Sequence, residues 1–222
     1  MPLLLAIDTA TRTLSLALHD GQHIRAETTW ETANAHTVEL APAVATLLTR
    51  ANVTVRDLTQ LAIAQGPGSF SGLRIGIGYA KGLAFALAIP LIAVPTLDIV
   101  AGAQPMFKGD LIAVAQVGRG RICAGRYQWR QGAWDADGDV QIMTWTALLD
   151  TIHDEVLIAG EIDAAGQELI DQSDRRLRLA TPAARLRRAS VLADLAWERA
   201  ELPADPIGVV PLYVNQPGLP HP

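Results

Sequence analysis

The sequence has a single cysteine and few aromatic residues, and both shortages limit what kind of protein it encodes. Because Cys123 is the only cysteine among 222 residues, no disulfide can form within the chain, and its apolar neighbours favour a core position. Aromatic residues make up 5% of a chain that is 50% hydrophobic, so the core has to be built from aliphatic side chains. No long apolar run is free of charge, and the N-terminus lacks the basic region of a signal peptide. We therefore expect a cytoplasmic globular protein without a membrane segment.

The charge of the chain gives no general attraction to nucleic acid. Its net charge is −5, whereas proteins that bind polyanions usually carry a basic surface. One local exception is a group of six arginines near the C-terminal end, which suits either a solvated surface or a contact with an RNA backbone. The six are Arg175, Arg176, Arg178, Arg185, Arg187 and Arg188.

The order of the apolar segments predicts a mixed α/β fold in two parts. The first hundred residues read as three successive strands followed by alternating helices and strands, with the second strand, 13–19, half exposed. The second half repeats this order less clearly, and no exact sequence repeat is visible. We predict subdomains at residues 1–100 and 101–222, with a helix at 183–200 that can pack back on the first.

Two short motifs in the first half are candidates for phosphate binding. Asp8 and Thr9 follow a buried strand, where a carboxylate and a hydroxyl can hold hydrated magnesium or can simply cap a turn. Gly66, Gly68 and Ser69 belong to a glycine-rich loop that runs into a helix N-terminus, which is a natural anion site. The loop matches neither the dinucleotide fingerprint nor the Walker pattern. We interpret these five residues as a phosphate loop that is vestigial if the chain is not catalytic.

These motifs and their order resemble the bacterial TsaB family of tRNA threonylcarbamoyladenosine biosynthesis proteins. The resemblance covers the first hundred residues well and the second half less well. The segments that carry it are Ile7–Thr11, His36, Gln65–Gly76, Val94–Leu97 and Pro211–Tyr213.

The resemblance implies an actin-like fold, as in Hsp70 and the sugar kinases, with a ribonuclease H-like mixed sheet in each subdomain. It also implies a role in threonylcarbamoylation of the adenosine next to the anticodon of certain tRNAs. In that system a homologous catalytic subunit carries the metal and the chemistry, and an ATPase subunit belongs to the same complex. We therefore expect a non-catalytic scaffold without a cofactor. It would bind the catalytic subunit, form a homodimer when alone, and contact tRNA only weakly or indirectly.

The histidine pattern supports a non-catalytic role. The catalytic relative holds its metal with two histidines four residues apart on one helix, whereas His36 here has Thr32 and Leu40 at those distances. Gln116 stands where an acidic residue is expected in the second half. The sequence thus predicts no metal site and no catalytic residue. Two alternatives remain open at this point: a phosphotransferase in which Asp8 places magnesium, and a metallopeptidase-like hydrolase, which the missing histidine pair disfavours.

Two helices carry more apolar surface than one sheet needs, which predicts an interface with another subunit. Small residues recur along the helix after the glycine-rich loop and would let a partner helix approach closely. The alternative is that the two helices cover each other within one domain. The predicted interface residues are Leu40, Val44, Leu47, Gly72, Gly76, Tyr79, Ala80 and Leu83.

Overall fold

The computed structural model describes residues 2–33, 35–199, 206 and 208–214, and its first half is built on a five-stranded sheet. The strands lie in the order β3-β2-β1-β4-β5. β2 and β3 run antiparallel as a meander, while β4 and β5 continue parallel on the other side of β1. Their bounds are β1 Leu4–Asp8, β2 Thr13–His19, β3 Ile24–Glu31, β4 Gln60–Ala64 and β5 Leu91–Val94.

Three helices follow in this part of the chain: α1 His36–Arg50, α2 Phe70–Leu87 and α3 Thr96–Gly102, of which α3 packs mainly on the sheet of the second half. α1 and α2 contact each other and pack on the sheet. Ser69 caps the N-terminus of α2, where its hydroxyl accepts a hydrogen bond from the amide of Gly72 at 3.4 Å. Ala88, which follows the last residue of α2, takes the left-handed conformation typical of a helix C-terminus.

The second half forms another mixed sheet in the order β11-β10-β6-β7-β8, with β9 paired to β7. Its strands are β6 Asp110–Gly118, β7 Arg121–Arg130, β8 Ala133–Ala136, β9 Gln141–Met143, β10 Val156–Gly160 and β11 Leu177–Leu179. The helices are α4 Trp145–Asp150, α5 Ala164–Asp171, α6 Pro182–Arg185 and α7 Ala189–Glu198.

The two sheets have the same topology although the sequence shows no exact repeat. In each sheet the first strand is central, the next two form an antiparallel meander on one side, and the last two lie parallel on the other. The chain is therefore a mixed α/β fold made of two topologically equivalent halves. Among the described residues, no helix is long and apolar enough to cross a membrane.

α7 returns from the second half and packs on the first sheet. It contacts β1 and β2, and the side chains of Ala189, Leu192 and Ala196 belong to the same buried cluster as those strands. As a result, β2 is buried at every position after Thr13. The predicted half exposure of this strand is wrong, because α1 and α7 both pack on it and its alternating serine and alanine residues lie in the interior.

Candidate functional site

The carboxylate predicted at the end of β1 is paired with an arginine from the far end of the chain. Asp8 is fully buried, and Arg187, which lies just before α7, is 3% exposed. The Nε of Arg187 donates to Oδ2 of Asp8 at 2.5 Å, while Oδ1 accepts from the amide of Ala10 at 2.9 Å. Asp8 is thus neutralised and oriented by groups of the chain itself.

The two terminal nitrogens of Arg187 contact Glu161 in the second half of the chain and Thr11 in the first. Its Nη1 lies 3.4 Å from Oε1 of Glu161, the residue after β10, and its Nη2 donates to Oγ1 of Thr11 at 2.9 Å. The hydroxyl of Thr11 donates to Oε1 of Glu161, and Oε2 of Glu161 accepts from the amide of Gln116 at 3.2 Å. One guanidinium therefore joins the ends of strands from both sheets.

The electrostatics of this cluster keep Arg187 charged. Burial lowers the pKa of the guanidinium, but the adjacent carboxylates of Asp8 and Glu161 raise it more, so that it lies above its usual value. Removal of one partner would leave an uncompensated buried charge, which proteins tolerate poorly. The cluster is therefore a structural ion pair that offers no free carboxylate for acid–base chemistry at Asp8.

The candidate phosphate-loop residues make hydrogen bonds with other parts of the chain. Whereas Asp8 faces Arg187, the hydroxyl of Thr9 donates to the carbonyl oxygen of Gly72 at 2.8 Å. The amide of Ser69 donates to the carbonyl of Ala10 at 2.6 Å, and a Cβ on Gly68 would lie 2.0 Å from that same oxygen. The glycine at 68 permits this contact between the two loops, and the Ser69 amide is not available to an anion.

Gly66, the first of the candidate loop residues, is also engaged within the chain. It has a φ of +116°, its amide donates to Oγ1 of Thr96 at 3.1 Å, and its carbonyl accepts from the amide of Thr96 at 2.7 Å. The loop before α2 is therefore hydrogen-bonded to Thr96, the first residue of α3.

His36 is the first residue of α1 and is 5% exposed. Its Nε2 has no hydrogen-bond partner within the described part of the chain. Desolvation lowers the pKa of His36, although the carbonyl of Thr11 and the charges of Glu39 and Asp8 oppose this effect. Among the described residues, no group of three or more His, Cys, Asp or Glu side chains is arranged to hold a metal ion.

Most of the predicted interface residues lie in the interior of the chain. Six of the eight predicted residues are buried inside the single chain, so they cannot present a side chain to another subunit, and only Tyr79 and Leu83 are partly exposed. A Cβ on Gly72 or Gly76 would overlap with Thr9. This burial favours the alternative, that the apolar stripes are covered within the domain, for six residues: Leu40, Val44, Leu47, Gly72, Gly76 and Ala80.

The sides of α1 and α2 that point away from the sheet are exposed, and they nevertheless contain many apolar and small residues. Val38 is 71% exposed and Phe85 is 85% exposed. A Cβ on Gly78 or Gly82 would meet no atom within 4 Å. Because both helices pack side by side on one sheet, their outward sides form one surface, which we call the helix face. It comprises Val38, Ala41, Pro42, Ala45, Gly78, Gly82 and Phe85.

Known proteins similar to this chain identify its family. Residues 29–174 match the family model described as "TsaD: tRNA N6-adenosine threonylcarbamoyltransferase". The chain is also 33% identical over 216 residues to the Bacillus subtilis "tRNA threonylcarbamoyladenosine biosynthesis protein TsaB", which covers 96% of this chain and 93% of that protein. The chain belongs to the TsaB family. The resemblance noted in the sequence is confirmed.

Solved structures agree with the TsaB assignment and with the fold. YeaZ from Pseudomonas aeruginosa matches with a TM-score of 0.76 and 28% identity, covering 96% of this chain and 100% of that one. Component A of (R)-2-hydroxyglutaryl-CoA dehydratase from Acidaminococcus fermentans matches with a TM-score of 0.50 and 11% identity over 90% of this chain and 99% of that one. The second match concerns the fold alone. The predicted actin-like fold is confirmed.

The arginine group of this TsaB-family chain is largely engaged in intramolecular contacts. Apart from Arg187, the contacts are made at the surface, as with Arg178, whose Nε lies 2.9 Å from Oε1 of Glu155. The other partners are Asp150 for Arg175, Gln167 for Arg185 and Glu27 for Arg188.

Sequence reasoning missed Arg187 and Glu161 as site residues. Glu161 carries the same signal that singled out Asp8, an acidic residue soon after a fully apolar strand, here Val156–Gly160. Arg187 carries no comparable signal, because its partner Asp8 lies 179 positions away and five other arginines surround it in the sequence.

Proposed function

We propose that this chain is a non-catalytic subunit in threonylcarbamoyladenosine biosynthesis, which binds and supports the homologous catalytic subunit. Its relative in Bacillus subtilis is named for that biosynthesis, and the family model that it matches is named for the transferase. The exposed helix face of α1 and α2 is the observation that carries the proposal. We place the complex in the cytoplasm, where tRNA is modified.

The chemistry of the helix face suits another helical surface. The residues that define it are uncharged, although Lys81 lies among them on α2, and Gly78 and Gly82 leave open space into which a second helix can approach closely. Phe85 offers a large side chain that can be desolvated by a partner, as aromatic residues are at the centre of interfaces. An exposed surface of this kind on one subunit is typical of an association site.

The occupant that we propose is a chain with the same fold, which would present its own equivalent helices. The catalytic homologue is the main candidate, and a second copy of this chain would use the same face to form a homodimer when that subunit is absent. The ATPase subunit of the complex would join the pair at another surface. Contact with tRNA would be weak or indirect, since the arginine group is largely paired within the chain.

A catalytic role for this chain is not favoured by the environment of Asp8. A phosphotransferase would need that carboxylate to place magnesium and to stabilise charge in the transition state. Asp8 is instead buried against Arg187. We therefore propose that the chemistry takes place on the partner.

The experiment that tests this proposal introduces a charge on the helix face. Gly78→Glu places a carboxylate where a Cβ meets no atom, so the monomer should remain folded. Burying that charge against a partner should weaken binding at least roughly tenfold. Ala165→Glu is the matched control, because Ala165 is an exposed residue of α5.

Binding is measured by calorimetry between this chain and the catalytic subunit of its own organism. Threonylcarbamoyladenosine formation is measured in parallel with the reconstituted proteins. We expect Gly78→Glu to lower both and Ala165→Glu to lower neither. Equal affinity for the parent and Gly78→Glu would contradict the assignment of the helix face as the interface, and full activity without this chain would contradict the supporting role.

A further inference from the structure

The guanidinium of Arg187 lies where the two topologically equivalent sheets meet end to end. Asp8 ends β1, the central strand of the first sheet, and Glu161 follows β10, which is next to the central strand of the second. The backbone amide of Gln116, near the end of that central strand β6, donates to the same Glu161 carboxylate. The strand ends of both halves thus converge on one point.

The groups around this point are oxygen atoms of the kind that bind hard cations. Oδ2 of Asp8, Oε1 of Glu161 and Oγ1 of Thr11 each lie within 3.5 Å of a different nitrogen of Arg187. Two carboxylates and a hydroxyl are also a suitable oxygen set for a divalent metal. In this chain, however, that position is filled by a side chain that is 3% exposed.

We propose that this is a cation site whose occupant is the chain's own guanidinium, which keeps divalent metals and nucleoside triphosphates away from the strand ends that converge there. The fork of three nitrogens matches three oxygens from two distant parts of the chain, residues 8–11 and Glu161, which a single ammonium cannot do. An actin-like fold implies a nucleotide with its metal between the two halves, and the residues present do not fit that group because Arg187 occupies the space between Asp8 and Glu161.

The backbone that follows Arg187 holds this side chain in place. The amide of Ala189 donates to Oγ of Ser15 at 2.8 Å, and Ala189 is fully buried against the first sheet. The amide and hydroxyl of Ser190 both bind Oε1 of Glu27. Withdrawal of Arg187 would require the start of α7 to leave β2 and β3, so an added ligand competes with an occupant that is tethered at the site.

Removal of the side chain tests the proposal. Arg187→Ala leaves a space lined by two carboxylates, and we expect its Tm to fall by roughly 6–20 °C relative to the parent. Guanidinium chloride at roughly 5–20 mM, far below the molar concentrations that unfold proteins, should then raise the Tm of this variant. Sodium chloride at equal ionic strength should not. Arg188→Ala, which breaks a surface contact with Glu27, is the matched control and should show no gain from guanidinium.

The same thermal assay is applied to the parent with Mg²⁺ and ATP, where we expect no shift in Tm. A saturable rise in the parent's Tm with Mg²⁺ and ATP would overturn the proposal, as would an Arg187→Ala variant that is unaffected by guanidinium. If Arg187→Ala does not fold, the proposal is tested with Arg187→Lys. Lysine keeps the positive charge but lacks the three guanidinium nitrogens that bind the three oxygens. A marked fall in Tm for Arg187→Lys supports the proposal, and a Tm equal to that of the parent overturns it. The chain is used alone, so the result does not depend on the helix face.

Discussion

Gly76 of α2 lies so close to Thr9 that a Cβ at position 76 would stand 2.0 Å from the Thr9 hydroxyl oxygen. That hydroxyl donates to the carbonyl of Gly72, one turn earlier on the same helix. Thr9 is fully buried at this point, between the end of β1 and the helix. The close approach of α2 to the sheet therefore depends on the two glycines, which act in the core of the monomer.

Gly76→Ala should destabilise the isolated chain. The added methyl group has to displace either Thr9 or the helix, and overpacking of this kind costs roughly 1–3 kcal/mol or more. Gly82→Ala is the matched control, since it lies on the same helix and its Cβ meets nothing within 4 Å. It should be neutral or stabilise the helix by up to about 1 kcal/mol. Denaturant unfolding followed by circular dichroism measures both, and a Gly76→Ala chain as stable as the parent would contradict this packing.

The contrast between Gly76 and Gly82 shows what the sequence could not decide. The periodicity of α2 predicts the helix, but glycine or apolar residues occur on both of its sides, so no pattern indicates which side is buried. Of the predicted interface residues on α2, Gly72, Gly76 and Ala80 lie on the buried side of the helix. The deciding quantity is the distance to Thr9, which depends on how the sheet and the helix pack.

Other features were accessible from the sequence because they are local. The strand that ends at Asp8 follows from a short apolar run, and the actin-like fold is what the resemblance to the TsaB family implies. The pairing of Asp8 with Arg187 was not accessible, since it depends on the return of α7 to the first sheet. Long-range contacts between charged residues leave no periodic signal.

Asp8→Asn should destabilise the chain by roughly 3–5 kcal/mol. The substitution removes one of the two carboxylates that neutralise the buried guanidinium of Arg187 and leaves only Glu161. Combining it with Arg187→Met should recover part of this loss, since the pair is then removed together. Asp110→Asn is the control, because it removes the same charge from a partly exposed pair with Arg126. That change should cost about 1 kcal/mol or less. Additive losses in the double variant would show that the two side chains are not coupled.

Cys123 should be unreactive in the folded chain. It is 1% exposed on β7, and desolvation by burial raises the pKa of its thiol to about 12, so almost no thiolate forms at neutral pH. Labelling with a chromogenic disulfide reagent at pH 8 should therefore proceed only as fast as the protein opens, and it should become rapid in denaturant. Fast stoichiometric labelling of the native protein would mean that β7 is accessible to solvent.

The burial of His36 should make the stability of the chain depend on pH. Desolvation lowers the pKa of His36 in the folded state, so below about pH 6.5 the unfolded chain takes up a proton that the folded chain resists. The contribution of neutral His36 to stability is thus complete above the unfolded pKa and is lost as the pH falls towards the folded pKa. Asp194, whose pKa is raised by burial, has the opposite dependence, but it is common to the parent and any His36 variant.

His36→Leu removes the titrating group and also the buried Nε2, which has no partner among the described residues. We expect the unfolding free energy of the parent to fall relative to that of this variant as the pH is lowered from 8 to 5. Urea unfolding at four pH values in a constant ionic strength measures this difference. His36→Gln provides a second variant that does not titrate, and it should show the same pH dependence even if its absolute stability differs, because the proton uptake of the unfolded parent is the common cause. A difference that stays constant from pH 8 to pH 5 for both variants would mean that His36 has the same pKa in the folded and unfolded chains.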